Sequence, residues 1–412
     1  MRLTIARLGH LGDGVADGPD GPVFVPAALP GEEVEGTLSG DRLTDTRILM
    51  PVPDRVRPPC PHARTCGGCT MQHAGDALVA RWKEGIVAGA MAGQGLQAPI
   101  LPILTSPPAS RRRATLSGRR TKGGALVGFH MKASETIVPV PGCHVLHGDV
   151  MAALPALEAL VRLGGSRTTE MALSVTASLS GPDVAVTGGK EADAALRLDF
   201  ASLAEAHGLA RLTWEGEAVA LRSPPVQAMG QARVVPPPGA FLQATAQGQA
   251  ALVAAVRRAI GPARRVADLF AGCGTFALPL AETAEVLAVE GDAAMTAALD
   301  AAWRQTPGLR RITTQTRDLF RRPLEPGELA AFDAVVMDPP RAGAEAQTDR
   351  IAKARVPVVA MVSCNPVTFA RDAKRLVQAG YVPEWVQPVD QFRWSPHVEL
   401  AALFRLVDNT RK

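Results

Sequence analysis

The sequence predicts an α/β protein whose C-terminal half is a doubly wound, mostly parallel sheet, preceded by a mixed α+β region and a small N-terminal β-barrel. Three observations lead there. Beyond Pro236-Pro237-Pro238-Gly239, strand-like and helix-like segments alternate at the spacing of βαβ units. Residues 1 to about 50 are short apolar runs cut by turn signals such as GDG and DGPDG. Between these regions, behind a stiff run at Pro51, Pro53, Pro58 and Pro59, helical and strand-like patterns mix without the βαβ rhythm.

Taken in order, LTIARLG, PVFVPAALPGE, EVEGTLSG and DTRILMPV read as strands of a barrel of about five strands. Such barrels bind oligonucleotides, and a docking module has the same composition. The middle region carries a helix at ALVARWKEGIVAGAMAG, strands around ATLSGRR and ALVGFHM, and a helix from Asp149 to Leu163. The last region reads as helix AQGQAALVAAVRRAI, strand RVADLF, helix FALPLAE, strand EVLAVEG, helix AAMTAALDAAWRQ and strands FDAVVMD and VPVVAMVS. Domain limits of 1–56, 57–235 and 236–412 follow.

With 412 residues, 47% of them hydrophobic, the chain can bury a sizeable core in two or three domains. No apolar run approaches the roughly 18 to 20 residues of a bilayer span, and the first residues lack a secretory apolar stretch, so a cytoplasmic protein without membrane association is expected. Its working unit is expected to be a monomer. Net charge is +4, from 44 basic and 40 acidic residues, so local clusters must decide whether the partner is a polyanion.

Asp268-Leu-Phe270-Ala-Gly272-Cys-Gly274-Thr275 follows a strand and opens a helix, and Glu290 ends the next strand. Glycines let the backbone approach a ligand, and the acid can hold two ribose hydroxyls. A dinucleotide and a nucleoside cofactor such as S-adenosylmethionine use this arrangement equally well. Strand FDAVVMD then delivers Asp338-Pro-Pro-Arg341, and the following strand delivers Ser363-Cys364-Asn365-Pro366. Ligands of open α/β sheets sit beyond the carboxyl ends of the strands. A carboxylate and a cysteine thus meet the cofactor crevice, where a helix N-terminus and Arg residues would lower the thiol pKa. A buried structural thiol is the alternative.

DPPRAG, VSCNPVT and VDQFRWSPHVE together resemble the signature of the RNA (uracil-C5)-methyltransferases, which use S-adenosylmethionine. Further matches cover nearly the whole chain. The N-terminal segment resembles a TRAM, OB-like barrel; Cys60, Cys66, Cys69 and Cys143 resemble the family's iron-sulfur ligands; Phe241-Leu-Gln243 resembles its cofactor-binding FxQ. The resemblance implies a Rossmann-like methyltransferase domain with cofactor contacts at Gln243, Phe270, Gly272, Thr275, Glu290, Asp318 and Asp338. Two positions depart from the family: Met361 stands for its usual tyrosine, and Phe392-Arg393 for its usual Phe-Pro.

The implied chemistry explains the residue types. Uracil C5 is too weak a nucleophile to take a methyl group unaided, so a thiolate, Cys364, adds at C6 and makes C5 enolate-like. A base, Glu399, then removes the C5 proton so that the cysteine can leave. Asp338 would hold the uracil or the cofactor's surroundings, with Asn365 and Arg341 supporting the enolate oxygen. His397, two residues before Glu399, would share its face if this stretch is a strand, and a structural role suits it better than a catalytic one.

The four cysteines suit zinc or iron, but spacing of five and two residues and then a distant fourth is unlike paired CxxC knuckles, which favours a four-iron four-sulfur cluster. Arg111 to Lys122 holds six basic residues and no acid, so it is expected either to contact phosphates or to form a solvated charged face. The resemblance implies RNA as partner. The family's ribosomal RNA enzymes generally carry the cluster cysteines and its tRNA enzymes generally lack them, so 23S rRNA is expected before tRNA. An RNA-binding protein with an inert domain and a NAD-dependent oxidoreductase are the rivals.

Overall fold

The β-rich apolar runs of the C-terminal half leave both faces of each strand hydrophobic, which demands a sheet covered on both sides. The computed structural model describes residues 1–407 and contains that sheet. In spatial order its eight strands are Ile312–Thr316, Glu285–Glu290, Arg265–Leu269, Ala334–Met337, Val358–Ser363, Glu399–Leu406, Tyr381–Asp390 and Leu104–Thr105. The first five run parallel; Glu399–Leu406 is antiparallel to its two neighbours. Helices cover both faces: Ala246–Ile260 and Ala293–Arg304 share one core with Val266, Val336 and Ala360, while Pro366–Gln378 packs on the other with Val335, Val359 and Phe404.

The parallel order reverses direction at Arg265–Leu269, whose neighbours Glu285–Glu290 and Ala334–Met337 lie on opposite sides. Loops leaving the carboxyl ends on the two sides of that point part and open a crevice. The antiparallel strand serves the same edge from its beginning. Ser363 pairs with Leu400, and carrying that register one residue further sets Cys364 opposite Glu399. Two motifs distant in the chain therefore meet through ordinary sheet pairing.

The N-terminal strands form a six-stranded curled sheet, in the order Arg2–Thr4, Glu33–Ser39, Arg42–Met50, Gly21–Val25, Gly14–Gly18 and Arg7–Leu8, around Ile5, Val25, Val34 and Leu43. The expected run LTIARLG is split into Arg2–Thr4 and Arg7–Leu8, and a further strand, Gly14–Gly18, lies where the sequence offered only turn signals. The middle region forms a seven-stranded sheet from Ile137–Pro139 to Glu217–Leu221, backed by helices Leu154–Gly164 and Ala194–Ala206. Where one helix was expected from Asp149 to Leu163, there are two, Gly148–Ala152 and Leu154–Gly164, because Pro155 cannot continue the first and starts the second. Pro279 likewise accompanies a cut of FALPLAE to the single turn Ala277–Leu280.

Helix Asp76–Ala92, although it precedes the middle sheet in the chain, packs Val87 and Met91 into the core of the eight-stranded sheet. Leu104–Thr105 pairs with Val389–Asp390 at that sheet's edge. Lys83 interrupts the buried stripe Val79, Val87, Met91 and is itself fully buried. Its ammonium meets Asp390 at 2.7 Å and donates to the Phe392 carbonyl at 3.2 Å. Asp390 in turn accepts from the Phe392 amide at 2.9 Å, so one buried ion pair shapes the chain on its way to Glu399. No helix of the described residues is long and apolar enough to cross a membrane.

Removing one partner of this pair strands the other charge in the core. Lys83→Met is expected to cost about 3–5 kcal/mol of unfolding free energy, read by denaturant titration. The double variant with Asp390→Leu should recover part of that loss, whereas equal stability of Lys83→Met and the natural protein would mean the pair carries nothing.

Candidate active site

Each strand end contributes a group to one crevice. After Arg265–Leu269 the backbone turns sharply: Phe270 takes φ +62°, Gly272 +56° and Gly274 +95°. The left-handed conformation is easy for glycine and strained for phenylalanine, so Phe270 is held there by its surroundings. Its ring lies 5.5 Å from that of Phe320, which is 52% exposed. Glu290 accepts the Gly272 amide at 2.9 Å and the Asp292 amide at 2.9 Å, which fixes its carboxylate at the turn. Asp318 accepts the Phe320 amide at 2.9 Å and ties the Phe320 loop to the strand edge.

The resulting cavity has a volume of about 480 Å³. The structure brings together every one of Gln243, Phe270, Gly272, Thr275, Glu290, Asp318, Asp338, Cys364 and Glu399 in its lining. That size, an apolar wall and a few convergent polar groups suit a small organic ligand. An aromatic face at Phe270, a carboxylate at Glu290 and backbone freed by glycine suit the adenosine part of S-adenosylmethionine, with no cradle of amides for a pyrophosphate among these contacts. Cys364 and Arg341 also border two open clefts. One, of about 760 Å³, runs between Arg7, His10 and Leu11 of the N-terminal sheet and Arg81 and Trp82 of helix Asp76–Ala92. The other, of about 1120 Å³, leads past Phe392 and His397 to Arg42, Arg111 and Lys132.

Electrostatics in the crevice oppose ionisation. Burial pushes Asp338 up to about 7. Burial, then the charge of Asp338, pushes Glu399, which is 2% exposed, up to about 8. Cys364 moves up to about 11, through burial and then repulsion by Glu399 and Asp338, against an opposing pull from Arg341. The expected lowering of the thiol is thus reversed: desolvation and two carboxylates outweigh one guanidinium.

Asn365 differs from expectation as well. Its Oδ1 caps helix Pro366–Gln378 by accepting the Val367 amide at 3.1 Å, and its Nδ2 donates to the Arg341 carbonyl at 3.0 Å. The amide positions the Arg341 loop and borders the open cleft of about 760 Å³ beside Cys364, outside the cavity of about 480 Å³. His397 lies before the strand that begins at Glu399, so the two do not alternate on one face; its ring meets Phe392 edge-on at 5.7 Å, and burial lowers its pKa. Met361, where a tyrosine was expected, is buried within Val358–Ser363. Arg393, in place of proline, ion-pairs with Asp76 at the start of its helix.

The segment from Arg111 to Lys122 is not a continuous basic face. Arg112 turns inward, donating to the Gln243 carbonyl at 3.1 Å and to Gln249 at 2.6 Å, and Arg119 pairs with Glu170 at 3.1 Å. Arg111 does border the open cleft. Alternation in a half-buried strand sends part of a charge run inside, which the composition of the run does not reveal.

Cys60, Cys66, Cys69 and Cys143 are all free thiols and line one enclosed cavity of about 40 Å³, beside Arg111. Burial pushes Cys69 up to about 11 and raises Cys66, so positive charge is needed to ionise them. Among the described residues, no group of three or more His, Cys, Asp or Glu is arranged to hold a metal ion. The donor set is nonetheless all sulfur and surrounds a space, and four thiolates suit zinc as well as an iron-sulfur cluster.

Sequence reasoning missed Lys83 and Gln391, and it placed Arg112 on a basic outer face when its guanidinium bonds Gln243 and Gln249. Lys83 left a signal, a lone charge in an i, i+4 apolar stripe. Gln391 stood inside the VDQFRWSPHVE motif, but nothing in that stretch marked its amide as buried: it bonds Gln243 and is 2% exposed.

The family model described as tRNA (Uracil-5-)-methyltransferase matches residues 308–406. An RNA methyltransferase of Brucella suis is 42% identical over 402 residues, covering 98% of this chain and 97% of the relative. One from Caulobacter vibrioides is 46% identical over 415 residues, covering 98% and 99%. The 23S rRNA (uracil(1939)-C(5))-methyltransferase of Chromohalobacter salexigens is 34% identical over 424 residues, covering 96% and 87%. In fold, the chain is similar to the crystal structure of the Pyrococcus abyssi tRNA (uracil-54, C5)-methyltransferase in complex with S-adenosyl-L-homocysteine, with TM-score 0.75 at 21% identity, covering 98% and 99%.

Because Glu399 is raised to about 8 against 4.5 for a free glutamate, the folded protein binds the proton more tightly than the unfolded chain does. Stability from this group is therefore lost as pH rises between those values. Glu399→Gln should leave thermal stability nearly unchanged at pH 4 and raise it relative to the natural protein at pH 9. A difference in melting temperature independent of pH would remove the burial argument.

Proposed function

The chain belongs to the S-adenosylmethionine-dependent RNA (uracil-C5)-methyltransferase family, and we propose that it forms 5-methyluridine in 23S rRNA with Cys364 as nucleophile and Glu399 as base. One arrangement supports this chemistry above the others: Cys364 and Glu399 stand opposite each other in register where the closed cavity meets the open clefts. A small cofactor fits the closed side and a polyanion the open sides, which carry Arg7, Arg81, Arg42, Arg111 and Lys132. Neither a hydride-transfer enzyme nor an inert RNA-binding module requires a thiol and a buried carboxylate at that junction.

Glu290 and Gly272 would hold the ribose end of S-adenosylmethionine, Phe270 its adenine, and Asp338 with Gln243 the end nearest Cys364. The bound cofactor supplies an electrophilic methyl group. A uridine splayed out of its RNA strand enters from the clefts. Cys364, whose thiol proton passes to solvent through the open cleft while the guanidinium of Arg341 favours the thiolate, adds to C6 and leaves the ring as an enolate. Once C5 carries the methyl group, Glu399 takes the C5 proton, the C5–C6 double bond re-forms and the thiolate leaves. Both groups must be ionised in turn, so the rate rises with pH through the neutral range.

Ribosomal substrate is favoured by the four cysteines and by the activity of the Chromohalobacter relative. Cys60, Cys66, Cys69 and Cys143 would hold a four-iron four-sulfur cluster, which cross-links the chain between residues 60 and 143 and transfers no electrons in this reaction. The curled N-terminal sheet would serve as the TRAM-like RNA-binding part, at the wall of the 760 Å³ cleft.

Cys364→Ala is expected to abolish methylation while leaving cofactor affinity within about twofold, as measured by calorimetry. RNA with 5-fluorouridine at the target should trap the natural protein covalently, because fluorine cannot leave as a proton does. Glu399→Gln should accumulate a methyl-bearing adduct on ordinary RNA and release product roughly 100 to 10,000-fold more slowly. Substantial turnover by Cys364→Ala would end the assignment.

Protein purified without oxygen should be brown, with about four irons and four acid-labile sulfides per chain. Stoichiometric zinc without sulfide would decide for a single-ion site.

A further inference from the structure

Gln391 sits between the two carboxyl groups of the crevice through a run of side-chain amides. Its Nε2 donates to Gln243 Oε1. Gln243 Nε2 donates in turn to Asp338 Oδ2 at 3.3 Å. Gln391 Oε1 accepts the Thr245 amide at 3.4 Å. The same amide lies close enough to the Glu399 carboxyl to favour its charged form. The three hydrogen bonds fix the orientation of both amides. Turning Gln391 over would set its oxygen against Gln243 Oε1 and the carboxylate, and its NH₂ against the Thr245 N–H. In the observed orientation Gln243 points a donor at Asp338, and Gln391 holds Gln243 in that pose.

The packing reserves this place. A Cβ at Gly248 would lie 2.7 Å from Cβ and 2.9 Å from Oε1 of Gln391, closer than real contacts allow, so only glycine leaves room for the amide. The residue just before Gln391 is Asp390, held by Lys83 in the core, so the amide is anchored on both sides.

We infer that Gln391 is a positioning residue for the reaction: its amide holds the Glu399 carboxylate in place, tied to Asp338 through Gln243, so that Glu399 can take the C5 proton in the late step. This rests on the assignment of Glu399 as that base. The charged groups facing Glu399 are Asp338, which disfavours its charge, and Arg341, which favours it; the neutral Cys364 thiol lies opposite, and His397 and Arg111 lie further along the same cleft. Gln391 adds a donor from the opposite wall. A hydrogen bond to the charged form favours that form, so the amide opposes the burial that raises Glu399.

The test compares the natural protein with Gln391→Met, similar in volume but without an amide, and with Gly248→Ala, which displaces the amide and keeps it. Two readouts are taken: the titration of the Glu399 carboxyl by carbon-13 nuclear magnetic resonance, assigned with Glu399→Gln, and release of methylated RNA in single turnovers from pH 6 to 9. Expected in Gln391→Met are an upward move of the Glu399 titration and release at pH 7 slowed on the order of tenfold to a hundredfold. A methyl-bearing adduct should accumulate, and the rate should recover toward pH 9, which a merely structural lesion would not do. Gly248→Ala should move both readouts in the same direction by less. An unshifted titration in both variants, or a shifted titration with natural release rates, overturns the inference. A natural protein that shows the titration shift on substitution yet methylates no uridine overturns the functional reading instead.

Discussion

Three titratable groups, Asp338, Glu399 and Cys364, share one crevice in which burial opposes the ionisation of each. They cannot all be charged at once, and the arrangement around them follows from that. Arg341 supplies the nearest positive charge, amides from Gln243 and Gln391 supply donors, and the open clefts admit a polar substrate that alters the balance. A thiol kept neutral in the resting protein is protected from adventitious oxidation and alkylation. It becomes a nucleophile on the reading proposed here only when a ring to add to is in place.

Holding that crowd together is work for parts of the chain that are distant in sequence. Lys83 grips Asp390, Arg393 grips Asp76, and the Trp394 carbonyl accepts the Thr70 and Met71 amides. Thr70 directly follows Cys69. The cysteine-bearing segment thus leans on the loop that leads into Glu399, and a cluster on those thiols would stiffen the base's support without touching substrate. Arg112 makes the corresponding link from the middle sheet to Gln243. Charged residues reach across domains here because a guanidinium or ammonium spans more distance than an apolar side chain and bonds directionally at its end.

Much of this was legible in the chain. The βαβ rhythm after Gly239 yields the parallel sheet, since strands buried on both faces show as apolar runs, and the carboxyl-end rule then puts Phe270, Gly272, Glu290, Asp338 and Cys364 at one edge. Glu399 was legible only through resemblance, because its place depends on an antiparallel strand pairing that local pattern does not specify. Two properties escaped. Net pKa directions depend on how many like charges share the dry space, so the motif around Cys364 suggested a lowered thiol where the crevice raises it. A charge run such as Arg111-Arg112-Arg113 does not say which members face inward, and Arg112 faces the cofactor segment.

The account stands most directly on the modified nucleoside itself. Mass-spectrometric mapping of 5-methyluridine in ribosomal and transfer RNA, from cells with and without this protein, should find one site lost from 23S rRNA. That site should return with the natural protein and not with Cys364→Ala. Loss confined to tRNA would contradict the substrate, and an unchanged 5-methyluridine map in both RNAs would contradict the reaction.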